Sequence, residues 1–203
     1  MTKLWGPLGW MTLHSVSLIY PASPTPEEKT TANRFLDLFA DSISCPNCKN
    51  HFKKMLELYK LSFPNFLDSR QNFAIFVFRA HNTVNARIDK PLYPSVSECL
   101  KALQLATSQT SFAQFRNSYV SYLLSNWGRE SGGDAMMVRR SVKDLQKIVN
   151  EYWNPRDTGL IPEIEDDDVL YRIENDNVRF TQSWRPISTA VGFKGGKLKL
   201  GKM

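Results

Sequence analysis

The residue types best suited to redox chemistry lie at Cys45-Pro46-Asn47-Cys48. Two thiols spaced two residues apart can close a disulfide and reopen it to an attacking thiolate. Proline favours the first helical position, where its missing N–H would have no partner in any case. Cys45 is therefore expected to be the N-cap of a helix, with Cys48 at its third position. Both sulfurs then sit in the positive end of the helix dipole, which favours thiolate. The apolar stripe of this helix is Phe52, Met55, Leu56 and Tyr59. Cys48 lies one turn ahead of Phe52 on that stripe, so Cys48 is expected to face inward and Cys45 the entrance.

A second stretch, His81-Asn82-Thr83-Val84-Asn85, is unusually polar for the middle of an otherwise apolar helix. His81 and Asn85 are four residues apart, at the edge of the apolar stripe. Lys90 follows just beyond the expected helix end. Trp10 and His14, also four apart, share one face of an earlier helix. These side chains combine hydrogen-bonding groups, stacking surface and one cation. That set suits a flat, redox-active, phosphorylated cofactor held between helices, which would also give Cys48 something to face.

The elements that must position these groups read as helices. The first is expected to open at Gly6-Pro7 and run to about Tyr20, ended by Pro21, Pro24 and Pro26. The second starts near Pro26 with the stripe Ala32, Phe35, Leu36, Phe39 and Ile43. The third carries the cysteines to about Tyr59, and the fourth runs from about Leu67 to Ile88. Ser95 to Glu98 is a capping-box pattern for a short fifth helix. The expected architecture is mainly α, a small up-and-down bundle of four helices plus the short fifth. It covers residues 1–107. A mostly helical C-terminal extension, residues 108–203, contains helical patterns at Phe112 to Leu123 and Val138 to Tyr152. A β-hairpin is expected at Val169 to Thr181, followed by a disordered Gly/Lys-rich end.

At 203 residues and 42% hydrophobic content, the chain can bury an ordinary core. It contains no apolar run long enough to span a membrane and no signal-peptide pattern at its first residues. Three cysteines are too few for a secreted disulfide scaffold. The net charge of +6 owes much to lysines near the end and reads as a solvated tail, without nucleic-acid binding.

The pattern Gly6-x-x-x-Trp10-x-x-Leu13-His14, then Cys45-x-x-Cys48, then His81-Asn82-x-Val84-Asn85-x-x-x-x-Lys90-Pro91 resembles the Erv/ALR family of FAD-linked sulfhydryl oxidases. The Trp5-Gly6-Pro7 opening is similar to versions encoded by large DNA viruses. The resemblance implies an FAD-holding helical bundle, usually a homodimer. It makes Cys48 the flavin-proximal cysteine and Cys45 the one that meets substrate. Trp10, His14, Cys48, His81, Asn82, Asn85 and Lys90 would contact FAD. It also implies passage of electrons from protein dithiols, a thioredoxin-like carrier among them, to the cysteine pair, to FAD and to O2, giving hydrogen peroxide. A viral enzyme of this kind would work in the host cytoplasm or the virion. The chain departs from the family in having Pro7 for an arginine and Phe76 for a tryptophan. Cys99 also lacks an intrachain partner, so it reads as a buried free thiol or half of an intermolecular disulfide. The rival reading is a zinc-stabilised helical adaptor using Cys45, Cys48, His51 and Cys99. With the flavin reading no metal is expected, and His51 is then a surface residue.

Overall fold

The computed structural model describes residues 2–165, with side chains from Trp5 onward. Seven α-helices follow one another: α1 (Thr2–Ile19), α2 (Pro26–Ser42), α3 (Pro46–Ser62), α4 (Arg70–Arg87), α5 (Val96–Ala106), α6 (Phe112–Arg129) and α7 (Gly133–Ile148). A π-helical turn, Val149–Trp153, and a 3-10 turn, Asn154–Arg156, prolong the last.

The expectation of a four-plus-one bundle with an appended extension is corrected. The fold is mainly α, with seven helices and no strand among the described residues. Helix α1 packs between α4 and α6, α2 packs on α3 and α7, and α6 and α7 pack on each other. Tyr119, Val120 and Leu123 of α6 and Val142 and Leu145 of α7 join Leu13, Phe35, Phe39, Met55 and Phe76 in one buried cluster. The apolar stripes of α6 and α7 read alike in a satellite or a shared core; their periodicity sets the face and leaves its partner open. The hairpin expected at 169–181 and the Gly/Lys end lie outside the described residues.

Helix boundaries follow their caps. Thr25 and Glu28 form a capping box ahead of α2, and Ser111 and Gln114 form one ahead of α6. Ser69 caps α4 by accepting the Asn72 N–H, so that helix begins at Arg70 rather than Leu67. Helix α1 begins upstream of the expected Gly6-Pro7 start and carries Pro7 inside it. Packing of Trp5 and Leu8 on the main core accounts for this early start. Next along, Gly9 permits the close approach of α1: a Cβ there would lie 3.3 Å from the Phe39 ring and 3.4 Å from the Tyr119 ring.

Helix α4 is buried on every side from Phe73 to Ala80. One face meets the main core. The opposite face, Ala74 and Phe78, meets a second cluster with Leu18, Val96, Cys99, Leu103, Phe112 and Ile164. Helix α4 ends at Arg87 rather than at the expected Ile88, which is its exposed C-cap. At the close of α7 the buried aromatic is Trp153 rather than the expected Tyr152. The wider π turn shifts the register by a fraction of a turn and aims Trp153 at Tyr20 and Phe35. Arg116 of α6, fully buried, then clamps the 3-10 turn through Asn154 Oδ1 (2.9 Å) and Asp157 (2.6 Å).

Candidate active site at the α3 N-terminus and the α1–α4 contact

Cys45 and Cys48 are joined as a disulfide. Cys45 is the N-cap of α3, as its proline-led sequence predicts, and its sulfur accepts the Cys48 N–H at 3.3 Å. The peptide N–H at the third position of the helix therefore donates to the sulfur that caps it. This contact and the dipole both stabilise negative charge on the pair. Both cysteines are half-buried and both pack against the main core, so exposure alone does not separate an inner from an outer sulfur.

The α1 and α4 residues converge beside this helix. The rings of Trp10 and His81 stack at 4.3 Å with planes 9° apart. Trp10 also meets Phe52 of α3 edge-on at 6.4 Å, which links the stack to the helix that carries the cysteines. His14 Nε2 lies 3.0 Å from His81 Nδ1. Burial holds His14 well below the usual histidine range, with the neighbouring His81 adding to the effect. Burial, helped by the Lys90 cation, holds His81 down to about 4. Both rings are therefore neutral near pH 7. Neutrality lets one nitrogen donate to the other, whereas two imidazolium ions would oppose N–H to N–H. Cys99 Sγ lies 4.0 Å from the same His14 nitrogen, and burial pushes its thiol up to about 12. It is buried and makes no disulfide within the chain.

Asn82 and Asn85 are both bonded to the backbone of the α4–α5 loop. Asn82 Nδ2 donates to the Tyr93 carbonyl (2.9 Å), and its Oδ1 accepts the Tyr93 N–H (3.0 Å). Asn85 Nδ2 donates to the Pro91 carbonyl at 3.3 Å. The two asparagines thus fold the α4–α5 loop back over the site. That loop carries Lys90, exposed, and Tyr93, whose ring meets His81 edge-on at 5.5 Å. Tyr93 was missed in the sequence because it lies outside any periodic element; Pro91 and Pro94 around it mark the turn that returns it.

His51 was also missed. It is half-buried, one turn beyond Cys48, and burial together with Arg87 and Lys54 lowers its pKa. The sequence signal was available, since His51 is three residues from Cys48 and Arg87 three from Lys90. Arg87 and Lys54 thus lie in the surroundings of His51, and Lys90 in those of His81. The zinc set is not assembled: Cys99 lies against His14, and no group of three or more His, Cys, Asp or Glu side chains among the described residues could hold a metal ion. No helix among the described residues is long and apolar enough to cross a membrane.

Comparison with known proteins adds an independent line. Residues 8–114, just over half the chain, match the sequence profile of the Erv1 / Alr family. The protein named "Probable FAD-linked sulfhydryl oxidase R368" of Acanthamoeba polyphaga mimivirus is 29% identical over 113 residues, 55% of this chain and 78% of that one. FAD-linked sulfhydryl oxidase ERV2 of Saccharomyces cerevisiae is 33% identical over 88 residues, 43% of each chain. The FAD-linked sulfhydryl oxidase of African swine fever virus is 31% identical over 88 residues, 43% of this chain and 71% of that one. No solved structure gives a significant match. With its disulfide-forming cysteine pair at the head of α3, the chain belongs to the Erv1/Alr family of FAD-linked sulfhydryl oxidases.

Proposed function

We propose that the chain forms disulfide bonds in protein substrates, using the Cys45–Cys48 pair and FAD. The observation that carries this is the packing of the disulfide-bearing helix, through Phe52, against the Trp10–His81 stack. The residues fit the cofactor. A flat neutral heterocycle suits the stack of Trp10 and His81 beside neutral His14, and the exposed Lys90 near His81 offers a cation to the phosphates. Asn82 and Asn85 serve binding indirectly by holding Lys90 and Tyr93 in place. The chemistry FAD supplies when bound is acceptance of an electron pair from the dithiol and its return to O2 as hydrogen peroxide.

The chain's own residues carry the exchange. A substrate thiolate attacks Cys45 Sγ, the S–S bond breaks, and Cys48 leaves as thiolate at the positive end of α3. The second substrate thiolate then attacks the substrate sulfur of the mixed disulfide. This releases the substrate disulfide and Cys45, whose charge the Cys48 N–H receives. The cysteine pair and the residues proposed to hold FAD all lie within residues 1–107, and α6 and α7 complete the core beneath them. Protein dithiols, a thioredoxin-like carrier among them, are the substrates, and a homodimer is the working form. The viral relatives support a place of action in host cytoplasm or virion.

A visible spectrum of the purified protein before and after anaerobic dithiothreitol tests the reading. A flavin spectrum bleached by dithiol and restored by air is expected. A colourless protein that cannot be loaded with FAD would overturn it. Cys48→Ser should keep FAD and lose bleaching, while Cys45→Ser should gain a long-wavelength band from the Cys48 thiolate beside the flavin. The band appearing in Cys48→Ser instead would reverse the two sulfur roles.

A further inference from the structure

Helix α6 holds the chain on both sides of the disulfide. Helix α2 ends at the buried Ser42, whose carbonyl is among those a helix leaves unpaired at its C-terminus. The residue four further on is Pro46, which has no N–H to offer. Trp127 Nε1 fills the gap, donating to the Ser42 carbonyl at 2.8 Å. Two residues later, Ser44 Oγ lies 3.4 Å from Tyr122 Oη. Only Ile43 and Ser44 separate Ser42 from Cys45. On the far side of the pair, Lys49 follows Cys48 and places its Nζ 5.4 Å from the centroid of the same Trp127 ring. Its backbone N–H donates to the Cys45 carbonyl at 2.8 Å. Tyr122 and Trp127 both lie beyond the residues shared with the family.

We propose that Trp127, assisted by Tyr122, is a positioning residue for the Cys45–Cys48 pair, an inference that rests on the exchange role given to the pair above. Cys48 is carried by the first turn of α3. Cys45 stands outside that helix as its N-cap, in extended backbone, and reaches the rest of the fold through the two-residue link from α2. Once a substrate has opened the S–S bond, the sulfurs stay close only while this link keeps its path. The tendency of the bond to re-form is set by the effective concentration of one thiol at the other, which falls when either is free to wander. Trp127 pins the start of the link and Tyr122 its end. The Lys49 contact of the same indole ties that anchor to α3, so the two cysteines share one frame. Each turnover must rebuild the bond, and the α6 side chains favour its closing.

The test reads the pair itself and needs no turnover. The full chain is equilibrated anaerobically in mixtures of reduced and oxidised glutathione. Two glutathione thiols are oxidised to one glutathione disulfide as the Cys45–Cys48 bond is reduced to two thiols. Alkylation after denaturation tags Cys99 in every molecule, and two further tags mark the reduced pair. Trp127→Phe keeps a ring and loses the indole N–H. It is expected to lower the equilibrium constant for closing the disulfide about fivefold, a rise of about 20 mV in the potential of the pair. Tyr122→Phe loses only a hydroxyl and is expected to move the constant in the same direction. Leu103→Ala opens a cavity in the second core cluster, so it is expected to lower stability and leave the constant unchanged. A constant that is unaltered or raised in Trp127→Phe overturns the inference. If that variant does not fold, the same result in Tyr122→Phe overturns it. An equal fall in Leu103→Ala also overturns it, because the effect would then be one of general loosening. A wild-type pair that does not exchange with glutathione at any ratio defeats the oxidase function as well, whereas normal exchange with unmoved variants defeats the positioning role alone.

Discussion

His14 and His81 are neutral at pH 7 because both rings are withdrawn from water and face each other. In an unfolded chain a histidine titrates near about 6.5. Held to about 4 in the fold, His81 binds fewer protons than the unfolded chain between those values. Stability therefore rises with pH across that window and is lost as pH falls from about 6.5 to about 4. The contribution of His81 is at most about 3 kcal/mol, and His14 acts in the same direction. Urea midpoints of cofactor-free protein at pH 7 and pH 5 measure the difference. His81→Phe keeps a ring against Trp10 and should flatten the pH dependence. An equally steep dependence in that variant would place its origin elsewhere. Asn82 shows how a single residue was only half legible. Its polarity within α4 marked it as special, but both ends of its amide are committed to the Tyr93 peptide. Nothing in the helical pattern could say that the partner was a loop rather than a ligand.

The element most dependent on such residues is the α4–α5 loop. Its backbone is tied to α4 by Asn82 and Asn85, and Tyr93 rests on His81. Asn82→Ala removes both bonds to Tyr93 and leaves its N–H and carbonyl to find water, a cost of about 1–3 kcal/mol. The expected result is faster amide hydrogen exchange at Tyr93, lower urea stability and weaker FAD retention, because Lys90 is released with the loop. Unaltered exchange at Tyr93 would show that Pro91 and Pro94 suffice to hold the turn. Helix α3 is the contrasting case. Its start was readable because Cys45, Pro46 and Cys48 set it through contacts no more than three residues apart. Trp153 was not readable, because its inward direction depends on a π turn that only packing against Tyr20 and Phe35 selects.

Across the whole molecule, α6 and α7 complete the core that α1 and α2 begin. Removing everything after Thr107 would strip Tyr119, Val120, Leu123, Val142, Leu145, Val149 and Trp153 from that core. At about 1.5–3 kcal/mol for each buried large side chain, the loss is about 10–20 kcal/mol, as large as the total stability of an ordinary domain, about 5–15 kcal/mol. Residues 1–107 alone are therefore expected to lose cooperative thermal unfolding and near-ultraviolet dichroism. A truncated chain with a sharp transition would show that the first five helices are self-sufficient.

The sequence by itself determined the helical class, the position of the cysteine pair at a helix head and the family. These follow from periodicity, capping and the ordered spacing of three motifs, all of which act within a few turns of chain. Only the tertiary structure decided that seven helices share a core, that Trp10 stacks on His81, and that the asparagines hold a loop. It also placed Trp127 beside the disulfide. Each depends on contacts between residues far apart in sequence, such as His14 with His81 and Ser42 with Trp127. An amphipathic pattern states which face is buried and is silent about which helix buries it.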